Sequence, residues 1–399
     1  MSSHSPATPD FYDYEWQSLV CAEIDGEVVA MRWADGTVFR ANGWWLRESV
    51  VADGATDPTT REGTIDPARH PEDLAVSSAA VDEQGALLVE WTPDGFRGTL
   101  HPGWLRHVAE GRHAVDSGLP RQQHWTAATL EEPPTFSGPA VLQDDATLRA
   151  WLVSMVRYGI GRLVGLPTDT NTVVAVTDRI GPQRGTNFGY VWSVKAEILG
   201  DDQNTTANTQ LRLGPHTDLP TREVPPGFQF LHCVANTCEG GWSRLTDGAA
   251  LAAHLEVDEP DTYEALTSLR WVFFNRSRDH DHRWSGPMID PEGPGSPLTI
   301  RAFYPVRAFP DMAEADVPRA YRAARRFHQL GADARFQIGY AFRPGDLIGF
   351  DNRRILHGRD AFDSTTGHRH LRGCYVDHDE IYSRLRVLGR RQPRDGRSQ

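Results

Sequence analysis

Apolar and polar residues alternate in short runs over the first hundred positions. In "LVCAEIDGEVVAMRWADGTVFRANGWWLRESV" two Asp-Gly pairs separate segments whose apolar residues recur at every second position, the pattern of strands joined by tight hairpins. The stretch "GALLVEWTPDGFRGTLHPGWLRHV" repeats this style around a Pro-Asp-Gly turn. Residues 1–115 are therefore expected to form a small β-rich domain, with "ADGATDPTTREGTIDPARHPED" as a loop inside it and a linker at 116–140. Beyond the linker the period changes. Leu148, Trp151, Leu152, Met155 and Val156 share one helical face, with Asp144 or Asp145 placed to cap the helix and Gly159 to end it. A further helix is expected within 314–330, where Tyr321, Ala324 and Phe327 fall on one face. The remainder of 141–399 is dominated by strand-like runs: "IGRLVGLP", "GFQFLHCV", "LRWVFFN", "LTIRAFYPV", "RFQIGYAF", "DLIGFDN" and "HLRGCYVD". Many strands and few helices predict a mainly β sandwich or barrel with helices flanking it.

Composition narrows the class. A chain of 399 residues suits one large domain and a smaller one. The net charge of −13 and the lack of a basic run before the tail "RLRVLGRRQPRDGRSQ" argue against nucleic acid as a partner. No apolar run approaches the roughly 18 residues of a membrane span, and the N-terminus lacks a signal-peptide pattern. The four cysteines (Cys21, Cys233, Cys238 and Cys374) form no disulfide framework and read as reduced thiols, so a cytoplasmic protein is expected.

The chemistry concentrates in "RLGPHTDLPTREVPPG". On an extended strand, His216 and Asp218 point to the same face and can serve one metal. A third ligand is available in "PGDLIGFDNRRILHGRDAF", where His357 follows an apolar strand and a turn. Two imidazoles and a carboxylate leave part of a coordination sphere open, as Fe(II) requires when it binds a co-substrate and dioxygen. An H-x-D tripeptide alone is close to chance in a chain with 16 histidines and 54 acidic residues. Arg369, 12 residues after His357, adds a guanidinium suited to a carboxylate; a surface arginine is the competing reading.

Taken together, "WWLRES", "WLVSMVRYGIGRLVGLP", "HTDLPTREVPPGFQFLHCV", "GGWSRLTDG", "PGDLIGFDNRRILHGR" and "RHLRGCYVDHDEIYSRLRVL" resemble the γ-butyrobetaine dioxygenase family, within the taurine-dioxygenase-like Fe(II)/2-oxoglutarate oxygenases. The resemblance runs over almost the whole chain. It implies a double-stranded β-helix (jelly-roll) over 141–399, iron held by His216, Asp218 and His357, and 2-oxoglutarate gripped by Arg369 with help from Ser243. It further implies O2 as oxidant, succinate and CO2 as co-products, oxidation of a C–H bond in a small trimethylammonium zwitterion, and a homodimer. The aromatic cage of such enzymes falls at Phe188, Trp192, Asn208 and Tyr375; Asn208 departs from the aromatic pattern, with Tyr190 as a stand-in.

Two further departures matter. Where the family carries adjacent asparagines toward the substrate carboxylate, this chain has Phe303 and Tyr304, and Tyr304 is assigned to the substrate site. Arg212, Arg222 and Arg301 then become candidates for the anionic end, and 2-(trimethylamino)ethylphosphonate an alternative substrate. The closely spaced zinc cysteines of the family's N-terminal module are absent from "WWLRESVVADGATD", and His70 and His101 remain without thiolate partners, so no structural zinc is expected. A zinc hydrolase and a non-catalytic binding barrel remain as competing readings; the first lacks an evident general base.

Overall fold

The computed structural model describes residues 5–195, 209–291 and 298–390, and the chain divides into two units, Met1–Gly118 and Leu119–Gln399. In the first unit the hairpins fold into two three-stranded antiparallel sheets, Leu19–Asp25, Val28–Trp33 and Val38–Asn42 in one, Ala75–Val81, Leu87–Thr92 and Arg97–Leu100 in the other. Their inward residues, among them Val29, Met31, Leu87, Val89 and Trp91, meet in one core. His101 and His70 of this unit make contacts of their own. His101 Nδ1 accepts from the backbone N–H groups of Gly103 and Trp104, capping the helix Pro102–Ala109, and His70 packs edge-on against Trp44.

The second unit is built on two sheets. The larger has six strands in the order Thr135–Ser137, Ile160–Val164, Leu347–Asp351, Phe228–Asn236, Arg369–Val376 and Val191–Lys195. The smaller has four, in the order Leu213–His216, Ile355–Arg359, Ser243–Asp247 and Gln337–Tyr340. Ile348, Phe350 and Leu371 of the larger sheet share a buried cluster with Leu245, Ile338 and Ile355 of the smaller, so the sheets pack face to face.

The strand Phe228–Asn236 shows how period two serves two cores. Phe228 and Phe230 join the cluster under the helices, whereas Leu231 and Cys233 turn to the cluster between the sheets. Helix Asp145–Tyr158 covers the outer face. Asp144 Oδ2 accepts from Thr147 N at 2.6 Å to cap it, and Gly159 ends it at φ 74°. Close approach to the sheet depends on a cross-strand pair of glycines. A Cβ on Gly349 would meet Met155 Sδ at 2.5 Å, and one on Gly161 would meet Trp151 at 2.8 Å.

Several elements differ from the sequence reading. The stretch 116–140, expected as a linker, supplies the edge strand Thr135–Ser137 and the buried Trp125, whose backbone N–H donates to Asp247 Oδ2 at 3.0 Å. The run "LTIRAFYPV" is a strand only at Thr299–Ile300; Pro305 then imposes a 3₁₀ turn over Tyr304–Val306. The expected helix within 314–330 runs over Val317–Gly331, but its buried face is Ala320, Ala323, Ala324, Phe327 and Leu330, with Tyr321 exposed beside it. Helices Gly248–Asp258, Pro260–Ser268 and His378–Arg390 add to the few expected; the first two share a core with Val317–Gly331 and the third packs under the larger sheet. Among the described residues, no helix is long and apolar enough to cross a membrane.

Candidate metal centre

His216 ends its strand and pairs directly across the ladder with His357 of the neighbouring strand. The two rings lie 4.1 Å apart between centroids. Asp218 follows two residues past the strand end, and its Oδ1 stands 3.4 Å from His216 Nε2 and 3.6 Å from His357 Nε2. One donor atom from each of the three lies within 4.8 Å of the others, a set found nowhere else among the described residues.

The loop holding Asp218 is fixed by its neighbours. Asn352, fully buried, accepts from Asp218 N at 2.7 Å and donates to Asp218 O at 3.0 Å. Thr217 Oγ1 donates to Ile300 O and accepts from Ala302 N. Arg301 donates to the carbonyl oxygens of Pro220, Arg222 and Glu223 at 3.0, 2.6 and 2.7 Å. Arg301 is therefore a clamp on the "PTRE" turn and not a grip on a substrate anion.

The donors are prepared for a cation. His216 Nδ1 faces Gly214 O at 2.9 Å, so the proton on that nitrogen leaves Nε2 with its lone pair toward the centre. Burial, then the nearby His216, push His357 down to about 3, keeping its imidazole neutral. Burial opposes ionisation of Asp218, yet the two imidazoles and the Tyr375 hydroxyl hold it well below the usual carboxylate range. Two imidazole nitrogens and one carboxylate oxygen, with no fourth protein donor among the described residues, fit iron(II) with open positions.

Around the centre lies a cavity of about 600 Å³. Arg369 and Ser243 line it, both less than 10% exposed. Burial lowers the Arg369 pKa, its Nε has no hydrogen-bond partner, and no carboxylate pairs with it among the described residues. Arg359, beside it and also lining the cavity, adds a second positive charge, though its own Nη2 is tied to the carbonyl oxygens of Thr209 and Leu211. A buried guanidinium without a counter-charge is costly, and an anionic co-substrate such as 2-oxoglutarate removes that cost.

The expected aromatic wall is only partly assembled. Phe188, Trp192 and Tyr375 line the cavity, the last two with ring centroids 5.5 Å apart. Tyr190 is 66% exposed and Tyr304 58% exposed, and neither lines it. Tyr190 lies along the loop against Gly185, and the 3₁₀ turn at Pro305 carries Tyr304 outward. Asn208 lies outside the described residues. Arg212 is exposed, and Arg222 donates to Asn187 Oδ1 at 2.8 Å. Neither lines the cavity. Phe303 instead stacks on His216 at 4.6 Å, shielding the metal ligand. Gln229, Thr221 and Asn275 also line the cavity without having been singled out. For Gln229 the signal was legible: it is the one polar residue among the inward positions Gln229, Leu231 and Cys233 of its strand.

Residues 117–375 match the family described as "Taurine catabolism dioxygenase TauD, TfdA family". The chain is 37% identical over 365 residues to the γ-butyrobetaine dioxygenase of Pseudomonas sp. (strain AK-1), spanning 91% of this chain and 94% of that one. It is 31% identical to the γ-butyrobetaine dioxygenase of Homo sapiens, over 76% of this chain and 80% of that one. It is 28% identical to the mitochondrial trimethyllysine dioxygenase of Gallus gallus, over 94% of this chain and 89% of that one.

Proposed function

Since the chain belongs to the taurine catabolism dioxygenase TauD, TfdA family, we propose that it oxidises a C–H bond of a small zwitterion bearing a trimethylammonium group, close to γ-butyrobetaine. It is an Fe(II)/2-oxoglutarate-dependent dioxygenase. The observation that carries the substrate-independent part is the convergence of His216, Asp218 and His357 in a cavity that also holds a buried Arg369 with no carboxylate partner among the described residues. A zinc hydrolase needs the first feature but has no use for the second. The strand orders of the two sheets support reading the catalytic unit as a double-stranded β-helix.

With iron(II) and 2-oxoglutarate bound, dioxygen would be the oxidant: 2-oxoglutarate would give up two of the electrons and leave as succinate and CO2, and a substrate C–H bond would give up the other two. The protein's share is placement. His216, Asp218 and His357 hold the metal on one side and leave the other open. Arg369, with Ser243 on the facing sheet, orients the co-substrate. Phe188, Trp192 and Tyr375 offer ring faces to a cation that cannot donate a hydrogen bond, a mode in which aromatic rings outperform carboxylates because desolvation is mild. Leu213, Leu231, Phe303, Phe342 and Leu371 add apolar lining that disfavours bulk water beside the reacting atoms.

The relatives are named for γ-butyrobetaine and trimethyllysine, which favours a trimethylammonium carboxylate over a phosphonate. With Arg301 committed to backbone carbonyls and Arg212 at the surface, a dense positive cluster for a doubly charged anion also lacks support. The test is Fe(II)-dependent succinate release from 2-oxoglutarate, run with γ-butyrobetaine, trimethyllysine and 2-(trimethylamino)ethylphosphonate, with products identified by mass. Stimulation by a carboxylate and not by the phosphonate is expected; stimulation by none of the three would overturn the substrate class.

A further inference from the structure

Tyr375, read from sequence as a wall of the substrate site, turns its hydroxyl to the metal centre. Its strand, Arg369–Val376, places it opposite Gln229 of Phe228–Asn236, with its ring 2% exposed. The hydroxyl donates to Asp218 Oδ2 at 2.7 Å. The other carboxylate oxygen, Oδ1, is the one facing His216 and His357. The Asp218 backbone is pinned on both sides by Asn352, so the residue is held at its backbone N–H, at its backbone C=O and at one of its two carboxylate oxygens. An aspartate free to rotate offers a metal either one oxygen or both. With Oδ2 accepting a charge-assisted hydrogen bond, only Oδ1 is on offer.

We propose that Tyr375 is a positioning residue for the metal, acting through Asp218: its hydroxyl ties up Oδ2 and enforces single-oxygen ligation. A chelating carboxylate would take up a coordination position that co-substrate or dioxygen needs; the tyrosine keeps that position clear. The same ring lines the cavity beside Trp192, so a ligand packed there touches the side chain that orients the metal's carboxylate. That last coupling rests on the oxygenase reading; the positioning role does not.

Mn(II), redox-stable and close to iron(II) in ligand preference, probes it without turnover. By titration calorimetry, Tyr375→Phe binds Mn(II) about 10-fold more weakly than the parent or worse, the range typical when an outer hydrogen bond to a metal ligand is removed. The exposed Tyr321→Phe serves as control and leaves the affinity unchanged within about twofold. In steady state the Phe variant keeps the ring, so its KM for the trimethylammonium substrate holds while the iron concentration needed for half-maximal activity rises. A purely structural role would not split the two. A second readout uses the unmodified protein: metal-minus-apo infrared difference spectra with ¹³C-aspartate label. A wide separation of the carboxylate stretches, the mark of one-oxygen ligation, is expected. Parent-like Mn(II) affinity in Tyr375→Phe, or a narrow, chelating pattern in the infrared, overturns the proposal. Silence of every candidate substrate alongside the expected Mn(II) results would count against the oxygenase reading and leave the positioning role standing.

Discussion

Each side chain of the centre has a separable job, which makes single substitutions informative. His216→Ala and Asp218→Ala leave a two-donor site, and such sites hold iron(II) poorly; both variants should lose bound metal, by elemental analysis after desalting, and turnover with it. Arg369→Ala removes the buried guanidinium from the cavity. Charge-assisted hydrogen bonds contribute roughly 1.5–3 kcal/mol each, so the KM for 2-oxoglutarate should rise by about 10- to 100-fold, with kcat largely recovered at saturation. Loss of kcat with an unchanged KM would assign Arg369 another role. Trp192→Ala removes a cation–π face of roughly 0.5–2 kcal/mol, raising the substrate KM by about 2- to 30-fold while slow substrate-independent decay of 2-oxoglutarate persists. At this scale the sequence was legible where spacing carries chemistry. His216, Asp218, His357, Arg369 and Ser243 meet in one cavity: ladder pairing aligns the strands of His216, His357 and Ser243, the loop after His216 adds Asp218, and the facing sheet brings Arg369. Tyr190 and Tyr304 look equally aromatic on paper, yet a loop and a proline turn carry them outward, and no residue pattern encodes that.

Between residues and domain stand the segments that fix the metal loop. Arg301 and Asn352 lie far along the chain from Asp218, and both spend their polar atoms on the backbone from 218 to 226. Asn352 follows directly on the strand Leu347–Asp351, and the chain then turns into Ile355–Arg359, which bears His357, so one short turn sets two ligands. Asn352→Ala strands the Asp218 N–H and removes the bond to its C=O. Leaving a buried donor unsatisfied costs about 1–3 kcal/mol, so a lower urea midpoint is expected together with weaker Mn(II) binding. A lower midpoint with unchanged Mn(II) affinity would show that the loop keeps its geometry without this clamp. Alternation and caps were enough to find the helix Asp145–Tyr158 and most strands. They were not enough for Gly248–Asp258 and Pro260–Ser268, where the first is Ala-rich and buried along most of its length, so no amphipathic period marks it. The edge strand Thr135–Ser137 is three residues long and reads as loop for the same want of pattern.

Acid is the condition that tests the molecule as one object, because its buried imidazoles act in the same direction. Among the described residues, His101, His107, His232, His282, His328 and His357 all lie below the ordinary histidine value, each with burial as the leading cause. His328 is pushed down to about 4 by burial and then by the charges of Arg307 and His216. Unfolded, such a side chain takes up its proton near pH 6.5; folded, it resists until much lower pH. Between those values the unfolded state binds more protons, so stability falls as pH falls, by up to about 1.4 kcal/mol per pH unit for each histidine. Net charge works the other way: the −13 of neutral pH shrinks on acidification and relieves self-repulsion. That effect is spread over the surface and screened beyond about 8 Å at physiological salt, so the buried imidazoles should win. The metal-free protein in 0.15 M salt is therefore expected to show a urea midpoint that drops steadily from pH 7 to pH 5. The His328→Gln variant, which cannot titrate, should show a shallower drop by roughly 1 kcal/mol per pH unit between pH 6 and 5. A slope identical to the parent's would mean that His328 is solvated in the folded protein, and the burial argument for the group would fail with it.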